Sequence, residues 1–236
     1  MYPTKIPKNF SVKKAHNAQL LLSKKILQKD LLPKKIRYIA GIDVAYSEQF
    51  SIGAVAVLDY KSLSLKEFKT TLCKTRFPYI PTLLSFREVQ PAVTAIDKLK
   101  LDPAVFLVDG QGIMHPYRLG FATHLGLVIA RPTIGVAKSP LCGKVQAFTN
   151  DDWAPIIDKH EVIGAAVITK KGRKPVYVSV GNMVSLKTAI SIVKYCTKTN
   201  RIPEPLLQAH RIATEEKRKT QNTFSYKNIT GDERIG

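Results

Sequence analysis

At 236 residues, with 44% hydrophobic and 23% charged positions, the chain has the length and balance to bury a full globular core, as one domain with extensions. No apolar run approaches the ~20 residues that span a bilayer, and Met1 to Lys14 carries lysines without an apolar stretch, so neither a membrane span nor a signal peptide is expected. A net charge of +19 points to an acidic polymer, nucleic acid above all, as partner; the bland alternative is a basic surface that serves only solubility.

The charge is unevenly placed. Residues 1–38 hold ten Lys/Arg against one acid, Asp30. Residues 1–15 read as a loose basic arm. His16 to Leu32 then has leucines and isoleucine among lysines, which predicts an edge helix stopped by Pro33. Three strand-like runs follow: Arg37–Tyr46, Ser51–Leu58 and Leu63–Cys73. Their short connections predict an antiparallel meander. Asp43 interrupts the first run between Ile42 and Val44. A carboxylate in a buried strand is costly unless it is paired or metal-bound, and otherwise it must face water.

Two prolines stiffen Phe77–Pro81 as an extended loop carrying Tyr79, a platform on which a base could stack. Ser85 and Glu88 form the S-x-x-E pattern of a capping box and predict a helix running towards Leu99. The apolar run Val105–Val108 ends in Asp109, followed by Gly110 and Gly112, with His115 and Pro116 beyond. In open α/β sheets chemistry sits outside the carboxyl ends of the strands, so Asp109 is a candidate ligand as well as a candidate turn cap. Arg118–Arg131 predicts a helix, and Thr133–Ala137 a strand ending at Lys138. Val162–Thr169 and Val176–Val180 predict a hairpin around Lys170–Pro175, a basic turn that could contact phosphate. Ser185–Thr197 predicts a helix capped by Ser185. Arg201–Pro205 leads into a last helix, Leu206 to about Lys219, and residues 220–236 form a polar tail.

Three meander strands and two right-handed crossovers place the fourth strand parallel to the first and beside it. Asp43 and Asp109 then fall on neighbouring strands, and Glu88 can reach the same place. Paired carboxylates repel unless a hard divalent cation lies between them. The three scattered cysteines, Cys73, Cys142 and Cys196, offer no zinc spacing or disulfide framework and suit a reducing cytoplasm. Carboxylates holding Mg²⁺ or Mn²⁺ on a basic protein suggest phosphodiester hydrolysis.

Gly41-Ile-Asp-Val-Ala-Tyr46, Pro78-Tyr-Ile-Pro81 with Leu84–Glu88, Val108-Asp-Gly-Gln-Gly112 with His115-Pro116, Thr133–Lys138, and Arg201–Pro205 with Ala209-His210 together resemble the endonuclease V family over about residues 10–215. The resemblance implies an RNase H-like fold, an α/β architecture whose mixed central sheet joins an antiparallel meander to parallel strands, here spanning residues 16–219. It implies a Mg²⁺-dependent endonuclease that recognises deaminated bases, chiefly inosine. Such enzymes cut the second phosphodiester bond 3′ to the lesion, leaving 3′-hydroxyl and 5′-phosphate ends. It further implies Asp43, Asp109 and Glu88 as metal ligands, His210 as the group that orients or deprotonates water, and Lys138 as a phosphate contact. Tyr79 becomes the wedge that replaces a flipped base, and Leu84, Gly110, Gly112, His115 and Gly120 become parts of the pocket for it.

Two positions depart from the family's usual pattern: Thr82 where glycine is common, and Asn182 where histidine is common. The expected partners are inosine-containing DNA, and inosine-containing RNA or single strands, acted on by a monomer. Competing readings are another RNase H-fold nuclease, such as a junction resolvase or an inosine-RNA ribonuclease, and a non-catalytic nucleic-acid-binding module.

Overall fold

The computed structural model describes residues 10–148 and 152–230 apart from positions 48 and 76, with side chains described as far as residue 222. Most of the expected basic arm (residues 1–9) and the end of the expected tail (231–236) lie outside the described residues.

β1 (Tyr38–Ser47), β2 (Phe50–Asp59) and β3 (Leu65–Lys74) form the expected antiparallel meander. β4 (Val105–Asp109) lies parallel to β1, and β5 (Thr133–Ala137) parallel to β4. Four further strands continue the sheet antiparallel: β6 (Lys144–Val145), β7 (Trp153–Asp158), β8 (Glu161–Val167) and β9 (Val176–Asn182). The order is β3-β2-β1-β4-β5-β9-β8-β7-β6. Its first five strands have the RNase H-like arrangement.

Alternation along the strands divides the core in two. Ile39, Val105, Leu107 and Ile134 face one side, under α4 (Leu186–Tyr195) and α5 (Glu204–Thr230). Ala40, Ile42, Phe106 and Val108 face the other, under α2 (Ser85–Ile96) and α3 (Phe121–Ile129). Ile39 and Ile42 are both fully buried, each worth about 1.5–3 kcal/mol of transfer free energy. Odd positions of β1 and β4 therefore look towards α5, and both Asp43 and Asp109 are odd.

Several expected boundaries are corrected. The first helix, α1 (Val12–Ser23), begins four residues before His16 and ends well short of Leu32, because Ser11 caps it and the following segment is tied down in extended form. Leu27 N–H donates to Asn182 Oδ1, Leu31 N–H to Met183 O, and Asp30 accepts from the Ser185 amide at the start of α4. α2 stops at Ile96 rather than Leu99, and α3 opens at Phe121 rather than Arg118, whose φ of 54° is left-handed and incompatible with a helical start. β6 and β7 have no counterpart in the expected elements: β6 is two residues long, and Pro155 inside β7 weakens a strand reading. α5 runs to Thr230, eleven residues beyond Lys219, through strong helix formers such as Glu215–Lys219. Among the described residues no helix is long and apolar enough to cross a membrane.

Candidate active site at the carboxyl edge of the central strands

The register sets Ile42 beside Val108, so Asp43 and Asp109 emerge next to each other at the carboxyl ends of two parallel strands. The third member arrives from α5. Gly41 is what lets that helix in, since a Cβ there would lie 2.0 Å from the Pro205 carbonyl oxygen. With Pro205 seated on β1, His210 follows about one and a half turns later and reaches Asp43. Asp43 Oδ1 accepts the Val44 amide at 2.8 Å, and Oδ2 accepts His210 Nδ1 at 2.8 Å. Ligand atoms of Asp43, Asp109 and His210 all lie within 4.8 Å of one another. The Asp43 side chain is 13% exposed, whereas that of His210 is 60% exposed, so the cluster has a buried floor and an open side.

Lys138, one residue past β5, places Nζ 3.3 Å from Asp109 Oδ2 and is otherwise half exposed. Burial and the charge of Asp43 push the Asp109 carboxyl above the usual carboxylate range, and Lys138 and His210 oppose the shift. Two carboxylates this close are a fit for a divalent cation, which would remove their repulsion.

Glu88 comes from the other layer. It is buried on α2, and it lies outside the cluster that Asp43, Asp109 and His210 form. The S-x-x-E pattern does not make a capping box: α2 has no side-chain cap, and Ser85 Oγ meets His124 Nδ1 at 3.1 Å. Glu88 Oε1 accepts the Tyr46 hydroxyl at 3.1 Å, while Oε2 is buried without a hydrogen-bond partner. Burial pushes its pKa up to about 8 against the Tyr46 hydrogen bond, and the charges of Asp43 and Asp109 push the same way. A buried carboxylate oxygen with no partner, beside two further acids, is what an oxygen-seeking cation or its bound water would satisfy. Arg87 stacks over the Tyr46 ring, 3.8 Å from its centroid. Tyr46 and Arg87 were not singled out as site residues in the sequence. Both lie inside quoted motifs, Gly41–Tyr46 and Leu84–Glu88, and that is the signal that points to them.

The loop after β3 presents Tyr79, 65% exposed, with Leu84 also exposed and Leu83 fully buried as its anchor. Thr82 sits at φ 69°. Its hydroxyl meets His16 Nε2 at 2.9 Å and its carbonyl accepts Gln19 Nε2 at 2.8 Å, so α1 holds the loop from behind.

Beyond Asp109 the chain crosses over β5 onto β9. Gly112 N–H donates to Ser179 Oγ, and Ile113 N–H to Val180 O. A Cβ on Gly112 would lie 2.1 Å from Val180 O, and one on Gly120 2.3 Å from Gln111 O. These two glycines are buried and shape the crossing, whereas Gly110 is half-exposed, against Phe121. His115 is 4% exposed. Its Nδ1 accepts the Tyr117 amide, and the Thr82 backbone also hydrogen-bonds to the ring. Tyr79, Leu84 and Gly110 are thus open to a ligand, while Gly112, His115 and Gly120 act from beneath the surface.

Two carboxylates on adjacent parallel strands, a histidine on one of them and a lysine on the other are a nuclease's constellation, and the comparisons with known proteins agree. A family model described as Endonuclease V matches residues 21–211. The chain belongs to the endonuclease V family. An endonuclease V from Thermofilum pendens is 46% identical over 89% of this chain and 90% of its own, and one from Rippkaea orientalis is 42% identical over 87% and 91%. Among solved structures, an endonuclease V from Streptomyces avermitilis superposes with a TM-score of 0.84 at 32% identity, covering 92% of this chain and 98% of its own. The Ciona intestinalis endonuclease V, solved with a 24mer DNA containing an inosine followed by a ribo-adenosine, gives 0.81 at 34% identity over 89% and 98%. The chemistry of an endonuclease V is hydrolysis of phosphodiester bonds, it is metal-dependent, and the RNase H-like fold is the family's.

The two departures from the usual endonuclease V pattern now have locations. Asn182 is buried at the far end of β9, where Nδ2 donates to Gly126 O and Oδ1 accepts from Leu27. That is the edge of the sheet opposite Asp109, so the substitution acts on packing there. Thr82 lies in the loop after β3, with its hydroxyl turned towards His16.

Proposed function

We propose that this chain hydrolyses nucleic acid at inosine and related deaminated bases, breaking the second phosphodiester bond 3′ to the lesion. The observation that carries the reading is the placing of Asp43 and Asp109 side by side, with His210 on Asp43 and Lys138 on Asp109. Tyr79, exposed on a proline-stiffened loop, supports the choice of a base-flipping enzyme over a junction resolvase or a binding module.

Asp43 and Asp109 would hold Mg²⁺, with Mn²⁺ able to replace it, and Glu88 would complete the acidic set. When bound, the cation polarises the phosphate and stabilises the leaving oxygen. Asp43 Oδ2 takes the proton of His210 Nδ1 as a hydrogen bond, which leaves Nε2 as the basic nitrogen. Nε2 orients the attacking water and accepts its proton as the new O–P bond forms. The P–O3′ bond breaks, leaving a 3′-hydroxyl and a 5′-phosphate. Lys138 neutralises the phosphate beside the cut. Tyr79 fills the space of the flipped base, Leu84 and Gly110 touch it, and Gly112, His115 and Gly120 fix the backbone around it.

The enzyme would act as a monomer within one catalytic domain (residues 16–219), in the reducing cytoplasm that suits its three free thiols. The deciding experiment is cleavage of matched DNA and RNA strands, with inosine or guanine at one position, with and without Mg²⁺, and mapping of the cut. Metal-dependent cutting two bonds 3′ of inosine is expected; equal cutting of the guanine strand would overturn the reading. Preference for the RNA strand would favour an inosine-RNA ribonuclease.

A further inference from the structure

One feature of the chain is unused by this chemistry. From Val162 to Pro203 there are eight Lys/Arg and no Asp or Glu. Five of these cations gather at two segments that the fold brings together: Lys170, Arg173 and Lys174 on the β8–β9 turn, and Lys198 and Arg201 on the linker between α4 and α5. The contact is built. Arg201 Nη1 donates to the Pro175 carbonyl at 2.7 Å, Thr169 Oγ1 to the Arg201 carbonyl at 2.7 Å, and Lys170 Nζ to the Lys198 carbonyl at 3.0 Å. A cleft of about 710 Å³ lies between turn and linker, lined by Lys170, Arg173, Lys174, Asn200 and Arg201 among others. No carboxylate forms an ion pair with any of these five cations among the described residues.

Its position relative to the active site follows from the register. Asp109 pairs with Val136, Val136 with Val178, and Ala137 with Tyr177. β9 therefore starts at the same edge of the sheet at which β4 ends, and the turn preceding Val176 projects from that edge. Two strand spacings separate β4 from β9, about 10 Å sideways. At 3.4 Å of rise per nucleotide, that is roughly three or more nucleotides from the cut. The cleft and Asp109 therefore open at one edge of the sheet, within reach of a single bound strand.

The geometry points to this cleft as a second anchoring site, for the phosphodiester backbone of the substrate outside the lesion. The inference rests on the proposed nucleic-acid function and extends it: Lys138 meets the phosphate at the cut, and the turn–linker cleft holds phosphates several nucleotides away. Unpaired cations held on backbone carbonyls give sequence-independent affinity, set by salt. Arg173 and Lys174 are the variants of choice, because both are exposed and their side chains hold no part of the fold.

The test compares the unaltered chain, Arg173→Gln/Lys174→Gln, and Lys34→Gln/Lys187→Gln, which removes two exposed charges from the opposite edge of the sheet. Binding is measured on long strands and on short ones that end before reaching the cleft, in DNA and RNA, with and without inosine, across a salt series. The unaltered chain and the opposite-edge variant are expected to bind long strands about tenfold tighter than short ones. Arg173→Gln/Lys174→Gln is expected to lose that advantage, and its slope of log affinity against log salt should be shallower by about one to two. Circular dichroism should superimpose for all three. An undiminished length advantage in Arg173→Gln/Lys174→Gln, or an equal loss in Lys34→Gln/Lys187→Gln, overturns the site. Because this readout is binding with or without inosine, failure of the unaltered chain to cut at inosine would strike the proposed function separately. A loss confined to DNA or to RNA would name which backbone the cleft holds.

Discussion

His210 and Asp43, 167 positions apart in the chain, share a 2.8 Å hydrogen bond that holds the imidazole over a carboxylate of the acidic cluster. Because Asp43 can only accept when ionised, it selects the tautomer with the proton on Nδ1. In the proposed mechanism one carboxylate thus serves the cation and aims the base. Asp43→Ala and Asp109→Ala are expected to abolish metal-dependent cutting while lesion binding persists. His210→Ala should slow the single-turnover rate about 100-fold and change its pH profile. Cutting at the unaltered rate by either aspartate variant would sink the mechanism. An unaltered pH–rate profile in His210→Ala would leave the histidine outside it.

Tyr79 contributes almost nothing to the core, being 65% exposed at the tip of its loop. Tyr79→Ala should leave the unfolding free energy within about 0.5 kcal/mol of that of the unaltered chain, since exposed positions tolerate substitution. Its effect should fall on the ratio of inosine to undamaged cleavage, which drops if the ring fills the vacated stack. The two rates, measured on otherwise identical strands, check this directly.

The Asp43–Asp109 pair was legible in the sequence because strand order alone makes β1 and β4 neighbours. Glu88 was legible as a candidate from its place at the start of the helix before β4, and the family resemblance added the ligand role. Locally its spacing from Ser85 matches a capping box, and nothing nearby shows that Tyr46, 42 residues away, claims its Oε1. The end of α1 is hidden from the sequence for a similar reason. Leu20 to Leu31 keeps a helical pattern, but Asn182 and Met183 take the amides of Leu27 and Leu31 from 155 and 152 positions away. The basic turn 170–175 was visible as a charge run, but its partner Arg201 was not, since only the fold brings the linker to it.

Tyr46 is the donor that keeps Glu88 tolerable in a buried position. Tyr46→Phe removes only the hydroxyl and leaves a second Glu88 oxygen without a protein partner beside the one already bare. Such a loss costs about 1–3 kcal/mol. Chemical denaturation of the metal-free protein should show a loss of that size, and cutting should slow as Glu88 shifts. Unchanged stability would mean that Glu88 does not depend on Tyr46.

Thr82 occupies a left-handed conformation that glycine adopts freely, at φ 69°. Thr82→Gly relieves strain of about 1 kcal/mol or more, but frees the unfolded chain by a comparable amount and removes the hydroxyl contact to His16. The expected net is an unfolding free energy within about 1 kcal/mol of the original. Because the hydroxyl is turned to α1, the preference among deaminated bases should not change. A broadened preference in competition cleavage assays would show that the side chain narrows the base pocket.

His115 makes stability depend on pH. Burial holds its pKa down to about 4, with the nearby His16 and Arg118 acting the same way against a hydrogen bond to the Thr82 backbone. Unfolded, the imidazole titrates near 6.5. Above that pH neither state carries the proton and the residue contributes no slope. Between about 6.5 and 4 the unfolded chain binds a proton that the folded chain refuses, so stability falls as pH falls. The loss accumulates to about 2 kcal/mol by pH 5 and about 3 kcal/mol at lower pH. His124, whose pKa burial also lowers, adds to the trend. His115→Gln cannot take up a proton, so its stability should fall by about 2 kcal/mol less than that of the unaltered chain between pH 7 and pH 5 in denaturant titrations. Parallel stability curves for the two proteins would show that the ring is protonated as easily in the folded state as in the unfolded one.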